Sequence, residues 1–155
     1  MAFLSSMNIT ASGLTAQQLR LDVISENISN INTTRTENGD EAYRRKMIVL
    51  EAEDGRDTFR DILARTAGNM QLPTGAVSNN GGVRVSAIVE DESEFKLQYD
   101  PTHPDANEEG YVEMPNIDLV KEITDAMAAT QAYSANVTAF NTLKTVATRA
   151  LEIGK

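Results

Sequence analysis

The sequence predicts an α+β fold: two long terminal helices pair as a coiled-coil or bundle element, with a small β-rich insert between them. Three observations lead there. Apolar residues recur at helical spacing over both ends, the middle switches to strand-like alternation, and the charge divides along the same lines. Residues 1–30 carry one basic residue against two acidic, a net of −1; residues 117–155 carry four of each, a net of 0; residues 31–116 hold nine basic and 17 acidic, a net of −8. Nearly neutral ends can pack against copies of themselves, whereas an acidic middle favours solubility. The expected organisation is a terminal helical assembly domain of residues 1–34 and 116–155 and a β-rich insert domain of residues 35–115.

The first helix is expected over residues 3–31, where Met7, Ala11, Leu14, Leu21, Ile24, Ile28 and Ile31 form a seam interrupted at Gln18 and Ser25. Gly13 is a weak point, costing about 1 kcal/mol relative to alanine. The run from Asn27 to Thr34 is rich in Asn, Ser and Thr. Such side chains bond to the local backbone and compete with helical continuation, so the helix should end there.

Strands are expected at Ala42–Glu51, at Val83–Glu90 and at Phe95–Tyr99, with a turn at Asn79–Gly82 and an irregular loop over Asp100–Gly110. A short helix is expected at Asp57–Ala67, with Phe59, Ile62 and Leu63 on one face. The second long helix is expected over residues 116–153. Leu119, Ile123, Ala126, Thr130, Tyr133, Val137, Phe140, Lys144, Ala147 and Leu151 step by four and three without a break. Asn116 is the expected N-cap after Pro115, with Asp118 and Glu122 near the positive end of the helix dipole. A heptad seam sustained over roughly 55 Å of helix asks for a partner helix.

The chemistry needed for catalysis is thin. The chain has no cysteine, which excludes disulfides, thiolate zinc sites and thiol nucleophiles. Its one histidine, His103, sits in a proline-flanked loop without an orienting partner in the local sequence. A small hydrolase built on His103 and nearby carboxylates is therefore the weaker reading. Asp105-Ala-Asn107-Glu-Glu109-Gly110 resembles the first half of a calcium loop, but its twelfth position is Asn116 where a bidentate acid is required. Arg44-Arg45-Lys46 could hold an anion, yet three cations in an acidic segment more often form an intramolecular or subunit salt-bridge patch. A net charge of −9 argues against a nucleic-acid backbone as partner. No small-molecule substrate, cofactor or metal is expected. No apolar run is long enough for direct membrane insertion, and the N-terminus lacks the pattern of a cleaved secretory signal.

Four stretches resemble a known family, the flagella basal-body rod proteins, and within it the short subunits of the proximal rod. They are Leu19–Ser25 running into Asn27–Thr36; Tyr43-Arg44-Arg45-Lys46; Tyr99–Asn107 followed by Gly110–Asn116; and Ala132–Asn141 with the ending Ala150–Lys155. The first and fourth are similar to stretches found in axial flagellar proteins generally, and the third is similar to the short proximal-rod subunits. Glu26 stands where the family usually has a second Asn, and Glu51–Asn80 is longer than the usual connection.

The resemblance implies a structural subunit, not an enzyme, that polymerises through its terminal helices into the periplasm-spanning drive shaft and export channel. The implied partners are copies of itself, other rod proteins and the flagellar type III export apparatus, which would pass the chain without a cleaved signal peptide. The expected assembly interface comprises Leu14, Leu21, Ile28, Ile123, Tyr133, Val137, Phe140 and Leu151 as seam residues, with Asn27, Asn30 and Asn141 as backbone-bonding or inter-helix polar positions. The competing expectation is a soluble helical-hairpin adaptor that binds partner helices without polymerising.

Overall fold

The computed structural model describes residues 2–36, 41–53 and 81–153. The elements run α1 (Ala2–Ser29), β1 (Lys46–Ala52), β2 (Val83–Glu90), β3 (Lys96–Tyr99), β4 (Tyr111–Met114) and α2 (Leu119–Ile153). The chain is thus α+β, with two long helices and a small antiparallel insert. β1 pairs with β2, and β3 pairs antiparallel with β4 in the register Lys96↔Met114 to Tyr99↔Tyr111. The expected helix at Asp57–Ala67 lies outside the described residues, as do Asn79 and Asn80 of the expected turn.

α1 stops inside the Asn-rich run, at Ser29. The Asn30 amide N–H bonds back to the carbonyls of Glu26 and Asn27, and the Asn30 side chain donates to the Glu26 carbonyl at 2.9 Å and accepts from the Thr33 hydroxyl at 3.1 Å. Local side chains thus satisfy the carbonyls that a helix end leaves open. β1 starts at Lys46 instead of Ala42, because Ala42–Arg45 is buried irregular chain held by side chains. β4 was hidden in the sequence: its four residues directly follow the loop turn that Gly110 closes. Gly110 has φ +82, and a Cβ there would stand 3.0 Å from the Tyr99 ring. The position therefore needs glycine for conformation and for space.

The N-cap of α2 is Asp118, not Asn116. The Asp118 carboxylate accepts from the Val120 N–H at 3.0 Å. Asn116 is engaged elsewhere: its Oδ1 accepts from the Arg45 N–H at 2.8 Å, and its Nδ2 donates to the Asp91 carbonyl at 2.9 Å and to the Ser93 hydroxyl at 2.8 Å. Asn116 thus bridges two distant segments, and the first turn of the helix is capped by Asp118 in its place.

The chain gathers into two compact units, each holding a stretch of both helices. The first comprises Met1–Ala16, Leu50–Arg84 and Ser134–Lys155; the second comprises Gln17–Val49 and Val85–Tyr133. In the second, Val23, Ile24, Ala42, Tyr43, Val112, Ile117 and Ala129 form a closed core. In the first, the buried apolar residue among those described is Ala16.

Candidate assembly surfaces

In the second unit, a buried polar cluster joins the end of α1, the chain leading into β1 and the start of α2. The helices run antiparallel here, with Asn27 against Glu122 and Arg20 against Asp125. Glu122 is fully buried. Its carboxylate accepts from Arg45 Nε at 2.6 Å and from Asn27 Nδ2 at 3.2 Å. The Arg45 guanidinium also reaches Asp125 at 3.5 Å and Asp91 at 3.7 Å. Asn27 works with both ends of its amide: Nδ2 donates to the Lys46 carbonyl at 2.9 Å, and Oδ1 accepts from the Lys46 N–H at 2.9 Å and from the Tyr43 hydroxyl at 3.3 Å. A side chain that mimics a strand partner in this way fixes where β1 begins relative to α1.

Burial raises the Tyr43 phenol well above its ordinary pKa, and the Glu26 carboxylate adds to the shift. Glu26, the departure from the usual Asn, is itself paired with Lys46 Nζ at 2.6 Å. Hydrogen bonds from Ser93 hold Asp91 below the ordinary carboxylate range. The basic stretch Arg44–Lys46 is therefore committed within the chain: Arg44 stacks over the Phe95 ring at 4.3 Å and Arg45 serves the buried carboxylate. The half calcium loop is also committed, since Asp105 accepts from Arg35 at 2.6 Å and from the Thr34 hydroxyl at 2.9 Å. His103 Nδ1 accepts from the Asp105 N–H at 3.1 Å.

The first unit is held by close approach. A Cβ at Gly13 would meet the Asn136 amide at 3.0 Å, so the absent side chain is what lets the two helices come together. Ser12 Oγ accepts from the Val83 N–H at 3.1 Å and donates to the Ile9 carbonyl at 2.8 Å, tying the start of β2 to α1. Gly82 is required beside it, because a Cβ there would stand 2.8 Å from Ser12 Oγ.

The two heptad columns expected on α2 fare differently. One column is half-buried at Ala126, Tyr133, Phe140 and Ala147 and exposed at Leu119. The other column is half-buried at Val137 but exposed at Ile123, Thr130, Lys144 and Leu151, and its place on the covered face is taken by its neighbours Glu122, Ala129, Asn136 and Leu143. Two of those four are polar, which hid the row from a hydrophobic pattern. Of the expected assembly residues, Asn27 is buried; Leu14, Leu21, Ile28, Asn30, Tyr133, Val137 and Phe140 are half-buried; and Ile123, Asn141 and Leu151 are exposed. The residues that sequence reasoning missed are Glu122, Asn136 and Ser12, each polar and each meaningful only beside its partner.

A family model described as "Flagella basal body rod protein" matches residues 7–35, and one described as "Flagellar basal body rod FlgEFG protein C-terminal" matches residues 108–153. The chain is 48% identical over 153 residues to the flagellar basal-body rod protein FlgC of Bacillus subtilis, covering 97% of each. It is 40% identical to FlgC of Borreliella burgdorferi over 162 residues, covering 99% of this chain and 98% of that one. With FlgC of Escherichia coli O157:H7 the identity is 34% over the whole of both chains.

Proposed function

This chain belongs to the FlgC family of flagellar basal-body rod proteins, and from that premise we propose that it polymerises through its terminal helices into the proximal rod. It is a structural subunit of the flagellar basal-body rod and assembles with other rod proteins. The proposal adds how. Segments 1–34 and 116–155 supply the assembling part, and the exposed column of Ile123 and Leu151 meets helices of neighbouring subunits. Leu14, Leu21, Ile28, Asn30, Tyr133, Val137, Phe140 and Asn141 lie at the margins of that contact, while Asn27 sets the position of the helix end that presents it. The subunit reaches the periplasm through the flagellar type III export apparatus without a cleaved signal, and it acts mechanically, as part of the shaft and channel wall, without catalysis.

The observation that carries this reading is the identity to FlgC relatives over nearly the whole chain. The apolar residues left exposed on α2 support it: Val120, Ile123, Met127, Val146 and Leu151 are each at least 47% accessible. Exposed rows of this kind on a long helix mark contact with another chain. Mass spectrometry of purified basal bodies tests it. Stoichiometric recovery in the hook-free rod fraction is expected; absence there, with a folded monomer in the cytosol, returns the chain to the adaptor reading.

A further inference from the structure

We propose that the outer face of the β3–β4 hairpin is a socket for the C-terminal stretch of α2 from a second copy of this chain, docked through Val146 and Arg149. The proposal deepens the assembly reading above and rests on it. The strand register places Leu97, Tyr99, Tyr111 and Glu113 on one face of the hairpin. Leu97 and Tyr99 are 66% and 65% exposed, an unusual display for a leucine and a tyrosine packed edge-on against a second tyrosine at 5.3 Å. The opposite face turns Val112 into the core. An open groove runs beside β3, lined by Ile31, Leu97, Tyr99, Met114, Ile117 and Leu119. Lys96 is spent within it, donating to the Ile117 carbonyl at 2.5 Å.

Charge complementarity selects the occupant. From Glu94 to Asp118 the chain carries seven acidic residues against one basic, a net of −6. From Ala126 to Leu151 it carries Lys144 and Arg149 and no acidic residue, a net of +2. Val146 is 56% exposed, and Arg149 is exposed one turn further on, at the i, i+3 spacing by which a helix anchors in a groove. The pair lies off the heptad columns of α2, so this contact adds to the helix seam and does not compete with it. Leu119, which lines the groove, opens the same continuous helix that ends at Ile153, so the C-terminal stretch of α2 cannot turn back onto its own first turn. Socket and plug on one chain make a head-to-tail contact, which propagates into a ring or a helical array.

The absence of cysteine makes the test direct. One copy carries Leu97→Cys and another Val146→Cys, the two are co-expressed, and basal bodies are purified and mildly oxidised. A disulfide joining the two copies is expected at several times the yield of a control pair in which Thr138→Cys replaces Val146→Cys. Arg149→Glu is expected to cut that yield several-fold, Glu113→Lys likewise, and the two reversals together to restore it. Presence of the chain in the rods with no Leu97–Val146 disulfide above the control overturns this proposal and leaves the assembly reading standing. Capture of a different rod protein at Leu97 by a thiol-to-amine crosslinker, with no Val146 disulfide, overturns it in the same way. Absence of the chain from the rods overturns the assembly reading, and with it the rod contact proposed here.

Discussion

The two compact units are built by opposite means. One has a closed core, and at its centre a carboxylate with no exposure is held by an arginine and an asparagine. The other has a single buried alanine among its described apolar residues, a glycine that admits an asparagine, and exposed Leu4, Val146 and Leu151. A satisfied buried network specifies one geometry, because every misplacement leaves a charge unpaired. An open apolar face specifies little until something covers it. The difference teaches that the chain fixes its own shape around Glu122, whereas the stretch beyond Tyr133 leaves Val146 and Leu151 exposed, the face that the proposed assembly would cover.

The widest gap between the units is expected from polar substitution on the open side. Val137→Asp should abolish swimming, by placing a charge in the assembling face, while the purified monomer still folds, with a urea midpoint lowered only modestly because Val137 is half-buried. Normal motility in a soft-agar assay would remove Val137 from the interface. The reverse pattern is expected at Glu122. Glu122→Ala leaves Arg45 buried without its closest counter-charge and should cost the monomer about 3–5 kcal/mol, read from urea unfolding followed by circular dichroism. Glu122→Gln keeps the acceptor toward Arg45 and should cost less. Equal loss in both variants would mean that volume, not charge, is what the cluster supplies.

Gly110 sharpens the comparison within the closed unit. Gly110→Ala must hold a positive φ and bring a methyl group to 3.0 Å from the Tyr99 ring. An expected cost of about 1–3 kcal/mol follows from holding a non-glycine residue there, again read from urea unfolding. A neutral result would mean that the Asn107–Tyr111 turn shifts freely. That is hard to reconcile with Asn107 Oδ1 accepting from the Tyr111 N–H at 2.8 Å.

Legibility in the sequence followed a different divide, between what is local in the chain and what is distant. Both helices, the strand at Val83–Glu90 and the Asn-rich stop were readable, because each is written in local periodicity or local side-chain bonding. β4 was not, because four residues after a tight turn carry too short an alternation to register. The half-covered column of Ala126, Tyr133, Phe140 and Ala147 was readable as apolar spacing. Its companion row was not: Glu122 and Asn136 are polar residues whose burial depends on Arg45 and Gly13, far away in the chain. Periodicity sees only what a residue is, and those two positions are set by what they meet.

Gly13 separates helix propensity from packing on the open side. Alanine there would gain about 1 kcal/mol as a better helix former. Against this, the Asn136 amide, 3.0 Å from the new methyl group, must give way. The two effects nearly cancel, so Gly13→Ala is expected within about 1 kcal/mol of the parent chain, whereas Gly13→Leu overpacks the contact and costs about 1–3 kcal/mol. Clear stabilisation by leucine in thermal unfolding would show that the helices are not in close contact at this point.

The smallest effect is read in acid. Ser93 bonds hold Asp91 below its ordinary pKa in the folded chain, and the Arg45 guanidinium contributes to the same shift. A carboxyl depressed by folding adds stability above its unfolded pKa, about 4, and that contribution is lost as pH falls toward the lower folded value. Asp91→Asn and Ser93→Ala should therefore lower the urea midpoint slightly at pH 7 and flatten its decline below about pH 4. Because Asp91 is partly solvated, with 26% of its side chain exposed, the flattening should be slight. An unchanged acid slope in both variants would mean that folding does not depress Asp91, and would reduce it to a surface partner of Arg45.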